Sequence, residues 1–356
     1  MPHTGTARDR GSTDAAHRVD AEDGAVKRSL VALAGGALII ALTTPPAGAA
    51  PTVAAPVTVD VPVRLVQAPI TKALYGMTTV RIGNSKPIRV TVDTGSVGLR
   101  LLPGAWKTVP SGVTMTDRRI TWAADGERLQ GRIGSGLFGI SGLRGDYPIS
   151  FMFMDKSSWT EQAAAQGIQG VLGIGLSRQD LPNPLTTLPG NVGRQWTVRF
   201  TPNTARTGGT GALVLGADVP AQSFTTFDLR TQGQDPQGVP LWDDQAADAC
   251  WVIGALSEIC GDTYFDSMAP FMLIKGSDFA PLRTTTGGFL ASGISISMGA
   301  PHTSFYAWNF TSGQRFGLNR AKVSATGRTL INTSSAIYSA FTVAYDVTEG
   351  VITLSD

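Results

Sequence analysis

Val90-Thr91-Val92-Asp93-Thr94-Gly95-Ser96 ends an alternating run in an acid flanked by two hydroxyls and a glycine, and this juxtaposition decides the fold class. Upstream, Val80 and Ile82 alternate with polar neighbours, Gly83-Asn84 marks a turn, and Ile88, Val90 and Val92 alternate with Arg89 and Thr91. Successive side chains on a strand face opposite sides of the sheet, so period-two alternation broken by a turn pair predicts an antiparallel hairpin. Beyond the acid, Leu99, Leu101 and Leu102 resume an apolar strand that stops at Pro103-Gly104. Asp125-Gly126, between Ile120-Thr121-Trp122 and Leu129, predicts a second hairpin, because Asp-Gly suits the positive φ of a two-residue turn. Residues 150–154 read as a further strand and residues 159–166 as a short helix.

The second half of the chain echoes the first. Asp266-Ser267 follows Tyr264-Phe265 as Asp93-Thr94 follows Val92, and the apolar pair Met272 and Ile274 keeps the offset that Leu99 and Leu101 have from Asp93. Asp262-Thr263 is a rival, but Tyr264 breaks its motif and the apolar residues fall at the wrong offset. Leu330-Ile331-Asn332 likewise parallels Val171-Leu172-Gly173. Two half-chains of one plan, each with an Asp-hydroxyl pair at a strand end, predict a pseudo-twofold pair of β lobes. Pro182, Pro184, Pro189-Gly190 and Gly208-Gly209 punctuate the boundary, giving lobes over 71–205 and 206–356.

Composition narrows the chemistry. Of 356 residues 42% are hydrophobic and only 16% charged, with 42 glycines and a net charge of +2. A near-neutral chain without basic runs is not a dedicated nucleic-acid binder. The three histidines are His3, His17 and His302; the one left once the expected leader is removed cannot build a His-rich zinc site, and a Ser-His-Asp machine would have to use His302, where no partner pattern is apparent. No P-loop, G-x-S-x-G elbow or dinucleotide fingerprint occurs.

Lys27-Arg28, the apolar run 30–42 and Ala47-Gly48-Ala49 have the order of a secretory signal, predicted to occupy 1–49 with a long leading region. The run is short for a membrane span, so no stable span is expected after cleavage. Residues 50–70 then form a short extension, with no long inhibitory prosegment. In an oxidising compartment Cys250 and Cys260, ten apart around a hairpin, are expected to form a local disulfide; two free buried thiols are the alternative.

Together these blocks resemble the pepsin-like aspartic proteases. The carrying residues are Tyr75, Val80-Arg81-Ile82-Gly83, the Val90–Ser96 stretch quoted above, Val171-Leu172-Gly173-Ile174-Gly175, Gly211-Ala212-Leu213-Val214-Leu215-Gly216, Phe265-Asp266-Ser267, and the terminal Tyr338, Phe341-Thr342-Val343-Ala344-Tyr345-Asp346 and Gly350-Val351-Ile352-Thr353-Leu354. Within that family Asn183-Pro184-Leu185-Thr186-Thr187-Leu188-Pro189-Gly190 and Asn332-Thr333 are similar to the mycobacterial PE-associated surface proteases, although residues 1–70 do not read as a PE domain.

The resemblance implies an all-β, bilobal acid-protease fold with a cleft between the lobes, in a secreted or cell-surface bacterial protein. It implies an aspartic endopeptidase with Asp93 and Asp266 as the catalytic pair, acting without metal or cofactor on an extended peptide or protein substrate, as a monomer. Two carboxyls about 3 Å apart cannot both ionise, so one is base to a shared water and the other is acid. Thr94 and Ser267 would hydrogen-bond across the lobe interface, Gly95 would complete the first loop, and Ser96 would hydrogen-bond Asp93. The Asp125-Gly126 hairpin corresponds to the family's flap, with Trp122 in place of its tyrosine.

The pattern departs at the second loop. Met268 stands where the family has glycine, and Ala269 lacks the hydroxyl that Ser96 supplies. A methionine there must turn away from the pair or crowd the water. An active peptidase with a relaxed second loop and a catalytically impaired module that only binds peptides are both compatible with this sequence.

Overall fold

The alternating runs become strands in the computed structural model, which describes residues 57–68, 71–124, 127–217, 223–301, 307–313 and 320–356. The first half builds β1 (Val59–Gln67), β2 (Leu74–Ile82), β3 (Ile88–Asp93), β4 (Val97–Leu101), β5 (Val113–Ala124), β6 (Glu127–Ile140), β7 (Leu143–Met154), helix α1 (Ser158–Ala165), β8 (Gly170–Ile174) and β9 (Gln195–Pro202). The second builds β10 (Gly208–Leu215), β11 (Ser223–Asp228), β12 (Arg230–Gln234), β13 (Pro240–Asp243), β14 (Ala247–Ile253), β15 (Ile259–Tyr264) and β16 (Met272–Lys275). It ends with β17 (Ser295–Gly299), β18 (Trp308–Thr311), β19 (Ala321–Ser324), β20 (Leu330–Asn332), helix α2 (Ile337–Ala340), β21 (Thr342–Asp346) and β22 (Val351–Ser355). The expected helix is α1, started by a capping box. Ser157 Oγ accepts from Thr160 N, and Thr160 Oγ1 accepts from Ser157 N at 2.8 Å.

A thirteen-stranded sheet runs in the order β11-β22-β21-β9-β10-β1-β2-β3-β8-β4-β7-β6-β5, and a seven-stranded sheet in the order β18-β17-β14-β15-β20-β16-β19. The echo between the halves is one of topology. β3 ends at Asp93, lies parallel to β8 with Asp93 opposite Gly173, and β8 is antiparallel to β4. In the second sheet β15 lies parallel to β20, which is antiparallel to β16. Each half thus sets the strand that leads into its aspartate beside a return strand, and the strand that follows on the other side. Gly173 is needed at this crossing. A Cβ there would stand 2.8 Å from the carbonyl oxygens of both Gly98 and Ser96.

Two findings refine the expected organisation. Val61, Val63 and Leu65 of β1 are buried while Asp60, Pro62 and Arg64 are exposed, so a strand forms within the stretch 50–70 that was expected to be a plain extension. It pairs with β2 and β10, and its period-two pattern passes unnoticed in sequence because Pro62 interrupts it. The position 205/206 lies in the turn between β9 and β10, an antiparallel pair with Arg199 opposite Ala212. The last strands, β21 and β22, join β9 in the same sheet, so one sheet continues from one half of the chain into the other.

One apolar core runs from Val61 to Leu354 through both halves, centred on large buried side chains such as Trp196, Trp251, Phe138 and Phe265. A smaller cluster of Leu102, Leu129, Ile133, Met152, Met154 and Leu181 lies under the β5–β6 hairpin, with Trp122 and Trp159 packed against it. Cys250 and Cys260 are directly opposed on β14 and β15 and are joined by a disulfide, so the free-thiol alternative does not apply. Among the described residues no helix is long and apolar enough to cross a membrane. The expected leader 1–49, His302 and the turn residues Asp125 and Gly126 lie outside the described residues.

Candidate active site

The two Asp-hydroxyl pairs meet at the seam. Thr94 Oγ1 donates to Phe265 O (2.9 Å) and accepts from Ser267 N (2.9 Å), while Ser267 Oγ donates to Val92 O (2.9 Å) and accepts from Thr94 N (3.0 Å). Each hydroxyl therefore binds the backbone just ahead of the other lobe's aspartate, and a shift of either loop breaks both sets at once. Thr94 and Ser267 are 1% and 0% exposed, which makes every one of these bonds costly to lose. Behind them the Tyr338 hydroxyl of α2 donates to Phe265 O (3.0 Å) and lies 2.7 Å from Thr94 Oγ1 and 2.5 Å from the Tyr345 hydroxyl. Burial pushes the pKa of both phenols upward, so they stay neutral donors. Thr94→Val keeps the volume and strands buried donors and acceptors at about 1–3 kcal/mol each. It is expected to lower the thermal midpoint by several degrees, read by calorimetry, with Ser267→Ala behaving alike; an unchanged midpoint would remove the cross-braces from the account.

Each carboxyl is oriented by its own loop. Asp93 Oδ1 accepts from Gly95 N (2.8 Å) and Oδ2 from Ser96 Oγ (2.5 Å). Asp266 Oδ1 accepts from Met268 N (2.9 Å) and Ala269 N (3.0 Å), and Oδ2 accepts from Asn332 Nδ2 (2.9 Å). Gly95 is the hinge of the juxtaposition: its N–H holds Asp93, and a Cβ on it would stand 2.5 Å from the Asp266 carboxyl carbon. Only a glycine lets the second carboxyl come that close to the first loop.

The second loop is better supported than its sequence implies. Met268 keeps the backbone N–H that the missing glycine would have offered, and its sulfur accepts from Thr91 Oγ1 (3.1 Å), two residues back along β3 from Asp93. The hydroxyl absent at Ala269 is replaced by the Asn332 amide, delivered from the end of β20 and held by donation from Ser334 N to its Oδ1 (2.8 Å). Asn332 carried a sequence signal, its place in the echo of Val171-Leu172-Gly173, but nothing local marks an asparagine 66 residues downstream as a carboxylate ligand.

Electrostatics at the pair follow from burial. Asp93 is 4% exposed, and desolvation, then the nearby Asp266 charge, raises its pKa well above the usual carboxylate range. Ser96, Gly95 and Arg100 oppose that rise without cancelling it. A pair so placed retains one proton between its two carboxyls over much of the acid range.

Trp122 lies on β5 three residues before the undescribed turn, half-buried, with its ring 4.4 Å from the guanidinium carbon of Arg100 and 5.7 Å from the Trp159 ring. Arg100 was not singled out in the sequence, where it reads as an outward polar position between Leu99 and Leu101. In fact every residue of β4 is buried. A cavity of about 630 Å³ opens beside the Asp93 loop, lined by Val97, Gly175, Leu176, Gln179, Leu181 and Leu241 among others.

No protein-family description and no curated protein matches this sequence. Among solved structures the chain is similar to the aspartic proteinase from Irpex lacteus, at a TM-score of 0.55 and 15% identity, over 84% of this chain and 97% of that one. The fold is therefore the bilobal pepsin-like acid-protease fold, as the sequence resemblance implied.

Proposed function

We propose that this chain is an aspartic endopeptidase, exported by its N-terminal segment, that hydrolyses extended peptides with Asp93 and Asp266. The observation that carries the proposal is the convergence of both carboxyls on Gly95, one held by its N–H and the other fitting only because it lacks a side chain. In the singly protonated pair the ionised carboxylate takes a proton from a shared water as the water oxygen attacks the scissile carbonyl carbon. The protonated partner hydrogen-bonds the carbonyl oxygen and protonates it, giving a tetrahedral diol. Transfer of a proton to the amide nitrogen then lets the C–N bond break, re-forms the carbonyl and returns the pair to its starting state. Histidine and metal have no part in these steps.

The hairpin of β5 and β6 supplies a strand edge for a peptide bound in extended form, where backbone hydrogen bonds give affinity and alternate side chains enter pockets. Activity should be highest in acid and fall as pH rises through about 7, where the last shared proton leaves. The test is incubation of the full chain with an unfolded protein from pH 3 to 7.5, with new termini identified by mass spectrometry and a statine-type peptide as inhibitor. New internal termini that the inhibitor suppresses support the proposal. A chain that is inert across the range yet retains peptides in a pull-down is a binding module instead.

A further inference from the structure

Among the described residues Arg100 is the sole Lys or Arg that is buried, at 3% exposure, and the proposed chemistry assigns it no role. Its Nη1 donates to Ser96 Oγ (3.3 Å) and Gly98 O (3.2 Å), and its Nη2 donates to Gln179 Oε1 (3.3 Å), which also accepts from Val97 N (3.1 Å). The Ser96 oxygen that it contacts is the one whose proton goes to Asp93 Oδ2. The guanidinium carbon also lies over the ring of Trp122, 4.4 Å from its centroid. One cation thus touches the loop that orients the first aspartate and the hairpin that would cover it.

We propose that Arg100 is a positioning residue, a buried post that holds Ser96 against Asp93 and seats the β5–β6 hairpin through Trp122, so that hairpin seating and ionisation of the aspartate pair are coupled. The coupling deepens the peptidase reading and rests on it only for its catalytic consequence. A buried guanidinium is destabilising unless charge and hydrogen bonds compensate it, and its attraction to a ring face, about 0.5–2 kcal/mol, grows as water is excluded. The titratable groups facing it are Asp93 from β3, Asp180 from the connection after β8 and Tyr264 from β15, and Asp266 in turn faces Asp93. Burial lowers the Arg100 pKa only to about 10, so it stays cationic wherever the pair titrates. When the pair gains negative charge the guanidinium is drawn toward Ser96, and the ring that rides on it must follow. Conversely, a substrate that presses the hairpin down fixes the cation behind Asp93 and favours the ionised form.

Nuclear magnetic resonance on the full chain tests this without reference to activity, by following the Asp93 carboxyl carbon and the Trp122 indole N–H across pH 3 to 8. In the wild type the indole resonance is expected to move with the Asp93 midpoint. Arg100→Met should raise that midpoint by roughly half a unit or more, since the guanidinium charge favours the ionised carboxyl, and should flatten the indole response. Arg100→Lys should keep the midpoint while weakening the indole response, because an ammonium lacks the planar fork. If Arg100→Met does not fold, Trp122→Ala carries the test: linkage requires that loosening the ring also raise the Asp93 midpoint, by about 0.3 unit or more. An indole resonance indifferent to Asp93, or a midpoint unmoved by the variant that folds, overturns the proposal. In turnover the same variants should displace both limbs of the pH profile for Arg100→Met and raise KM more than they lower kcat for Trp122→Ala. A wild type that titrates as described but cleaves nothing would overturn the peptidase reading and leave this coupling standing.

Discussion

Asp93→Asn and Asp266→Asn are each expected to reduce peptide-bond hydrolysis by about 10³-fold or more while the chain remains folded. The amide keeps the size of the carboxyl, and its one oxygen can still accept from Gly95 N at the first site, where the NH2 can donate to Ser96 Oγ, or from Met268 N and Ala269 N at the second. It cannot take up and release a proton. General acid and base assistance are each worth about 10²–10⁴ in rate, and the two carboxyls exchange those roles within one turnover, so removing either disables both half-steps. The losses should not multiply in the double variant, because the pair acts as a unit. Full activity in Asp266→Asn would disprove the pair while leaving the fold untouched. Calorimetry on the same samples separates chemistry from unfolding, since neither substitution removes a cross-brace of Thr94 or Ser267.

The second large effect concerns stability and centres on Asp244, a carboxyl that the sequence did not single out. It is 3% exposed, its Oδ2 accepts from Leu176 N, and its Oδ1 is buried without a hydrogen-bond partner. The position of a Cβ on Gly175 would be 2.7 Å from that Oδ2, 2.9 Å from Thr94 O and 3.1 Å from Ser96 O, so the carboxyl sits beneath the Asp93 loop among backbone carbonyls. Burial, outweighing the hydrogen bonds from Leu176 and Ser177, raises its pKa from 3.8 to about 7. The folded chain therefore holds a proton that an unfolded aspartate releases near 3.8. Between those values the native state binds more protons than the unfolded state, so this contribution is complete below the lower pKa, declines with rising pH, and is gone above the upper one. A rise of that size is worth roughly 4 kcal/mol at 1.36 kcal/mol per pH unit. Asp93, raised for the same reason, adds a decline of the same sign. Denaturant unfolding of the wild type at pH 4, 5.5 and 7.5 should show stability falling toward neutrality. Asp244→Asn should flatten the slope by about half, chiefly by stabilising the protein at pH 7.5. A variant whose slope equals that of the wild type would mean that Asp244 titrates normally in the folded protein.

Residues that announce themselves through local chemistry were legible before the fold was known. An acid after a strand with a hydroxyl beside it recurs in both halves, a glycine follows in the first, and those features are what bring Asp93, Thr94, Gly95, Asp266 and Ser267 together. Met268 shows where local reasoning overreaches. The missing glycine suggests a damaged loop, yet the function of that position is carried by a backbone N–H, which every residue but proline possesses. Asn332 and Asp244 were hidden for the opposite reason, because their partners lie 66 and 68 residues away in the chain. Arg100 was hidden because a charge in a strand ordinarily marks the solvent face, and only the parallel entry of β7 beside β4, with Trp122 above, covers both faces.

The sequence by itself determined that this chain folds into two β lobes of one plan, carries an aspartate at a strand end in each, and has too few histidines for a His-rich metal site, because alternation, turn chemistry and composition are properties of short stretches. Tertiary structure alone decided which donors hold each carboxyl, that a buried cation stands behind the first of them, and that a third acid is trapped beneath the same loop. Those outcomes depend on desolvation and on contacts between residues far apart in the chain, and neither exists until the sheets have closed around them.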